Sequence, residues 1–315
     1  MSLSLPELLR RMLLIRTIEE RLRALVRESK APVTSPTTGQ EAAALGVIDA
    51  LSQDDLLLTN HRSMSHLLSR GADPRRLLAE IYGKRTGYCQ GKSGFRHISI
   101  RELGVMLTST VVGAELSMAP GVALALAMQD SSAIVACFFG DGASCEGVFH
   151  ESLNLASLWD LPILFVCENN QWQWNVSRKE AQAAARISEF AAPHGIKSQT
   201  VDGMDLEAVR EAAQAAVAYV RKERRPFLLE SVTYRLRGHN SIDPQSYVGP
   251  EELAAQWARD PLHLLSQRLA QAGVVSDEAR AQLQREVDAE VDRAFAFAQE
   301  SPFPGPEELL ADVYA

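Results

Sequence analysis

Two short segments carry residue types that could hold a metal ion and a phosphate together. Gly140-Asp141-Gly142-Ala143 follows directly on the apolar run Ala133–Phe139, and Glu168-Asn169-Asn170 follows Ile163–Cys167. Asp141 and Asn170 lie 29 residues apart. That is about one strand–helix–strand traverse, so the two side chains can meet at neighbouring strand ends. A carboxylate oxygen, an amide oxygen and a nearby backbone carbonyl suit a small hard cation such as magnesium, which usually completes its octahedron with phosphate oxygens. Glycines at such a point let backbone N–H groups approach a phosphate closely. His239 stands beyond another apolar run, Phe227–Tyr234, and Arg62 beyond Leu56–Thr59. In a parallel sheet, ligands bind beyond the carboxyl ends of the strands.

Other candidate motifs fail on spacing. Lys92 in Gly91-Lys92-Ser93-Gly94 would need a glycine at position 86 to complete a phosphate loop, and that residue is Thr86. Ser144 lacks the context of a nucleophile elbow, since Glu146 stands where the second glycine is required. Glu146 and Glu151 flank a predicted helix start and read as partners of its dipole. His66 and His97 carry no assigned chemistry.

The pattern around these residues predicts the elements that must position them. Leu3–Glu28 reads as a long amphipathic helix, Gln40–Leu51 as a small-residue helix and Leu56–Thr59 as a short strand. Asp73-Pro74 is a helix start. The segment from Gly83 to Glu102 is glycine-rich and basic, the character of a functional loop. Val112–Met128 is a nearly uncharged helix, expected to be buried between the sheet and another subunit. Strands Ala133–Phe139, Ile163–Cys167 and Phe227–Tyr234 alternate with helices Gly147–Trp159 and Leu206–Arg221, and a short strand starts at Thr200-Val201. Such alternation predicts an α/β fold whose parallel sheet is covered by helices on both faces. The chain reads as a single domain over 1–315, with 251–315 a helical C-terminal extension.

Composition bounds the function. The chain has 315 residues and a formal net charge of −8. That balance disfavours general nucleic-acid binding. The charge is uneven: up to Thr110 there are 16 basic and 11 acidic residues, and beyond it 16 and 29. A basic front half could hold an anionic ligand. No run approaches the length of a membrane span, and the N-terminus has no secretory h-region. Cys89, Cys137, Cys145 and Cys167 form no Cys-x-x-Cys pair and read as free thiols of a cytoplasmic protein.

The motifs resemble a known family. GDGASCEG followed by LPILFVCENN is similar to the diphosphate-binding signature of thiamine-diphosphate enzymes. TGQEAAALGV, LLLTNHRSMSHLLSRG, GKSGFRHI, VVGAELSMAPGVALA, ESLNLASLWDLPILFVCENN, VDGMD and TYRLRGHNSIDP occur in the order found in one group. The chain thus resembles the alpha subunit of the decarboxylating component of 2-oxo acid dehydrogenase complexes, the pyruvate, branched-chain and acetoin dehydrogenases. The resemblance implies a thiamine-diphosphate-binding fold, with thiamine diphosphate and Mg2+ as cofactors. It also implies that Asp141, Asn170 and the Trp172 carbonyl ligate the metal. Gly142 and Ala143 would offer N–H groups to the diphosphate, and His61 and Arg62 would pair with it. The backbones of Thr110 and Val112 would hold the aminopyrimidine. Trp174 would support the bend of the cofactor, and His239 would act near the diphosphate and the reacting carbon.

The carboxylate that the pyrimidine needs comes, in this family, from a beta subunit. The implied assembly is two alpha and two beta chains serving a lipoyl-bearing acyltransferase, with a 2-oxo acid or acetoin as substrate. The chain departs from the family pattern at several points. Ser35 and Met64 replace histidines, and the first of these replacements weakens a pyruvate assignment. Gln171-Trp172-Gln173-Trp174 replaces a Tyr-Gly or Tyr-Ala pair and a Met or Ile. Asn240 replaces a regulatory serine. A stand-alone thiamine-dependent lyase or transferase, which would need a glutamate of its own near the pyrimidine, remains an alternative. A non-catalytic scaffold subunit is another.

Overall fold

The computed structural model describes residues 3–311. Six parallel strands form one sheet in the order β2-β1-β3-β4-β8-β7: β1 (Leu56–Asn60), β2 (Val105–Ser109), β3 (Val135–Gly140), β4 (Ile163–Asn169), β7 (Lys197–Asp202) and β8 (Phe227–Val232). A two-stranded antiparallel hairpin, β5 (Trp172–Gln173) and β6 (Val176–Ser177), follows β4. The helices are α1 (Leu5–Arg27), α2 (Glu41–Asp49), α3 (Met64–Ser69), α4 (Pro74–Ile81), α5 (Ala114–Met128), α6 (Gly147–Leu158), α7 (Arg178–Ala181), α8 (Leu206–Glu223), α9 (Pro250–Trp257), α10 (Pro261–Gln271) and α11 (Asp277–Glu300).

Successive residues of a strand point to opposite faces, so a sheet covered on both sides needs apolar residues at every position. Ala136, Phe138, Leu164, Val166 and Leu229 join the core beneath α1, α2, α4, α8 and α11. Val135, Cys137, Phe139, Phe165 and Cys167 join a second core beneath α5 and α6. This is the α/β, doubly covered parallel sheet predicted from the sequence, with the long N-terminal helix and the helical C-terminal extension in place. The last four residues of that extension lie outside the described part.

Local signals set the helix starts. Ser4 and Glu7 form a capping box at α1, the Asp73 carboxylate accepts from the Arg75 N–H at α4, and Asp205 caps α8 through the Glu207 and Ala208 N–H groups. The glycine-rich segment beyond α4 is organised from within. The buried Glu80 carboxylate accepts the N–H groups of Cys89, Gly91 and Ser93 at 2.8–2.9 Å. A side chain at Gly87 would strike the Glu80 backbone, its Cβ 2.6 Å from the Glu80 Cα.

The edge strand β2 carries no sequence signal: Val105–Ser109 is short and partly exposed at Met106. Along α5, expected to be buried between the sheet and another subunit, one face packs on the sheet. Only Glu115, Leu116, Ala119, Pro120 and Ala123 are buried. The opposite face, with Met118 at 42% and Met128 at 78%, is exposed on this single chain.

Candidate functional site

The strand order reverses around β1, whose neighbours β2 and β3 follow it in the chain on opposite sides. In such sheets the crevice beyond the carboxyl ends at the reversal is the natural ligand site. A cleft of about 590 Å³ opens there. It collects residues beyond five of the six strands: His61 and Arg62 after β1, Thr110 and Val112 after β2, and Asp141, Gly142 and Ala143 after β3. Asn170, Trp172 and Trp174 follow β4, and Arg235 and His239 follow β8. Every residue that the resemblance marks for cofactor or metal lines this one cleft.

Asp141 and Asn170 are each the first residue past their strand, and Gly140 faces Glu168 in the β3–β4 ladder. Asp141 is 1% exposed, and its Oδ2 has no hydrogen-bond partner among the described residues. Burial pushes its carboxyl up to about 6, against the nearby Arg235 and Arg178 charges and the Asn170 N–H. The Asn170 amide donates to Gln40 Oε1 at 2.8 Å, and its Oδ1 accepts the Trp172 N–H at 3.2 Å. A buried acid oxygen without a partner is costly unless something arrives to bond it. With the Asn170 amide oxygen and the Trp172 carbonyl, this is a donor set of the right chemistry for a hard divalent cation.

The opposite need, for negative charge, is equally plain. Arg62 is 5% and Arg235 1% exposed, and no carboxylate forms an ion pair with either among the described residues. Arg62 donates to the carbonyls of Pro36 (2.6 Å) and His239 (3.1 Å). Arg235 donates to the carbonyls of Trp172 (3.3 Å) and Trp174 (2.5 Å) and to the Tyr247 hydroxyl (2.6 Å). Burial, then Arg235, lowers the Arg62 guanidinium to about 9. Burial and the same cationic surroundings lower His61 to about 3 and His239 to about 4, so both imidazoles are neutral at physiological pH. Gly142 borders the cleft, and a Cβ there would meet the Gln173 side chain at 3.5 Å. An orphaned acid oxygen, unpaired buried cations and a glycine-lined wall fit a metal-bound diphosphate.

Sequence reasoning passed over several residues of this site. Gln40 and Arg235 lie within TGQEAAALGV and TYRLRGHNSIDP, but nothing in those segments alone points to their partners Asn170 and Trp172. His66, left without chemistry, is fully buried, with Nδ1 2.7 Å from Thr59 Oγ1 and Nε2 3.0 Å from Glu168 Oε1. Its partner Glu168 lines the cleft.

Glu115, on the first turn of α5, also lines the cleft, 1% exposed and with Oε2 unbonded among the described residues. Burial raises its carboxyl to about 7, above the unfolded value near ~4.3. The stability that a neutral Glu115 contributes is therefore complete below the unfolded value and lost as pH rises through 7. Urea unfolding should show the wild-type chain losing roughly 3 kcal/mol more than Glu115→Gln between pH 4.5 and 8.5. Equal losses in the two proteins would contradict this. The buried Glu19, raised to about 7 chiefly by burial, leaves a dependence of the same sign in both.

Sequence comparison places this geometry in a family. The sequence model of the Dehydrogenase E1 component matches residues 9–307. The chain is 39% identical over 307 residues to the alpha subunit of acetoin:2,6-dichlorophenolindophenol oxidoreductase from Cupriavidus necator, covering 97% of this chain and 92% of that one. The Bacillus subtilis protein of the same description is 35% identical over 309 residues, 96% of this chain and 91% of that one. The pyruvate dehydrogenase E1 component subunit alpha of Zymomonas mobilis is 37% identical over 312 residues, 98% of this chain and 88% of its own. With its sheet, its cleft and this near full-length similarity, the chain belongs to the dehydrogenase E1 component family.

Proposed function

We propose that this chain is the alpha subunit of a cytoplasmic thiamine-diphosphate-dependent oxidoreductase, binding Mg2+ and thiamine diphosphate in the cleft beyond β1, β3 and β4. The observation that carries the reading is the buried, unbonded Asp141 oxygen standing in one cleft with two unpaired buried guanidinium groups. Asp141, Asn170 and the Trp172 carbonyl would hold the metal. Gly142, Ala143, His61 and Arg62 would hold the diphosphate, and the Thr110 and Val112 backbones the aminopyrimidine. Trp174 would support the cofactor's bend. Thiamine diphosphate, when bound, supplies the electron sink for the carbon–carbon bond that breaks. This chain's part is binding, orientation and charge. Arg62 and Arg235 offset the anion in a partly dry site, and a neutral His239 offers a hydrogen bond beside the reacting carbon.

The substrate is a 2-oxo acid, or acetoin. The substrate's carbon–carbon bond would break, with carbon dioxide leaving from a 2-oxo acid or acetaldehyde from acetoin. The acyl group would pass to a lipoyl disulfide on an acyltransferase partner, the disulfide being reduced to an acyl thioester and a thiol. Relatives described as subunit alpha, and an uncharged outer face on α5, support a beta subunit in a two-alpha, two-beta assembly. Among the described residues no helix is long and apolar enough to cross a membrane.

Glu115 favours a second reading, since it is a cleft glutamate of the kind that a partner-independent enzyme requires. Calorimetric titration of the purified chain, with and without a beta-type subunit of the same family, separates the two. Saturable binding of thiamine diphosphate only with Mg2+, and turnover only with the partner, is the expected result. No binding under any of these conditions overturns the cofactor assignment, and turnover by the isolated chain supports the second reading.

A further inference from the structure

Trp174 occupies the turn of the β5–β6 hairpin with φ +56, a left-handed conformation that costs a non-glycine residue about 1 kcal/mol or more. The residue is 61% exposed. Strain and an exposed large aromatic ring need a compensating contact, and the structure supplies two. The Trp174 carbonyl accepts from Arg235, and the indole lies flat on the His239 imidazole, 4.7 Å between centroids and 6° between planes. The stack joins two segments that line the cleft, the hairpin after β4 and the loop after its neighbour β8.

At its Nδ1 edge the imidazole meets a cation. Arg62 Nη2 lies 3.5 Å from His239 Nδ1. A guanidinium only donates, so Nδ1 is the acceptor and the ring proton resides on Nε2. No described residue bonds Nε2, which leaves it as the donor available to a ligand. The His239 backbone is pinned as well: its N–H donates to Asp243 Oδ2 at 2.6 Å, and the same oxygen accepts from the Tyr247 hydroxyl.

We infer that Trp174 is a positioning residue for His239. Its stacked indole holds the imidazole with Nδ1 against Arg62 and presents Nε2–H as a fixed hydrogen-bond donor in the cleft. The use to which that donor is put rests on the function proposed above, but the orientation of the ring does not. Burial and the charges of Arg62, Arg235 and Arg96 outweigh that of Asp243, and the His61 ring lies 5.8 Å away between centroids, so a ring held here resists protonation. Freed from the stack, it can rotate away from Arg62 and rehydrate.

The test is histidine C2-hydrogen exchange, followed by mass spectrometry of the peptide carrying His239. It is run without cofactor on the chain together with whatever subunit co-purifies. Trp174→Ala should raise the His239 exchange midpoint by about one pH unit and speed exchange, and Trp174→Phe should restore both. Trp159→Ala, which removes another exposed indole, should leave them unchanged. An unchanged or lowered midpoint in Trp174→Ala, or no rescue by phenylalanine, overturns the inference. Failure of thiamine diphosphate to bind is a separate outcome that counts against the proposed function alone.

Discussion

Replacing Asp141 by asparagine should abolish magnesium-dependent cofactor binding and leave the protein at least as stable as before. The carboxyl is almost fully buried and its Oδ2 is bonded to nothing among the described residues. A buried acid in that position is a cost to the folded state, and an isosteric amide reduces that cost. A gain of about 1 kcal/mol is the expected scale. The same change removes the single anionic ligand of the proposed metal set, so affinity for thiamine diphosphate at fixed Mg2+ should fall by on the order of 100-fold or more. Calorimetric titration and thermal unfolding of the two proteins check both halves. Cofactor affinity equal to wild type would end the metal assignment, and a large drop in stability would show that Asp141 serves the fold.

That site could be read ahead of the fold for a physical reason. Asp141 and Asn170 announce themselves because each follows within three residues of a fully apolar run, and a buried parallel strand admits little other than Val, Ile, Leu, Phe and Cys. Where the apolar run is short or one-sided, the signal fades. β2 sits at an edge with Met106 exposed, and the β5–β6 hairpin has two residues per strand. Arg235 and Gln40 act through distant partners, Trp172 and Asn170, that only the folded sheet brings near. The apolarity of α5 was visible, but composition does not separate a face packed on a sheet from one offered to another chain.

That outer face gives the second large effect. Ser117, Met118, Gly121, Ala125 and Met128 point away from the sheet, and Glu115, the helix's sole charged residue, is turned inward. Met118→Glu should leave the chain folded, since Met118 is already 42% exposed. It should also prevent assembly, because burying an unpaired carboxylate in an apolar interface costs several kcal/mol. On the proposal that the active site is shared between subunits, activity should fall to background while the isolated chain keeps its thermal midpoint. Sedimentation of the co-expressed subunits reads assembly directly. An intact, active complex would place the subunit contact elsewhere.

The basic loop beyond α4 is tied to the far end of the chain. The Arg85 N–H donates to the Pro302 carbonyl, Thr86 Oγ1 to Ser301 Oγ at 2.7 Å, and Lys92 pairs with Glu308. α1 and α11 are joined by the Arg10–Glu290 and Arg21–Asp292 pairs. During synthesis, therefore, the loop that brings Arg96 to the cleft is braced at once by Glu80 but waits for more than 200 further residues to leave the ribosome before its second anchor exists. The central strands can pair as they emerge. A message truncated before α11 would keep those strands and lose the ties that hold the loop to the far end of the chain.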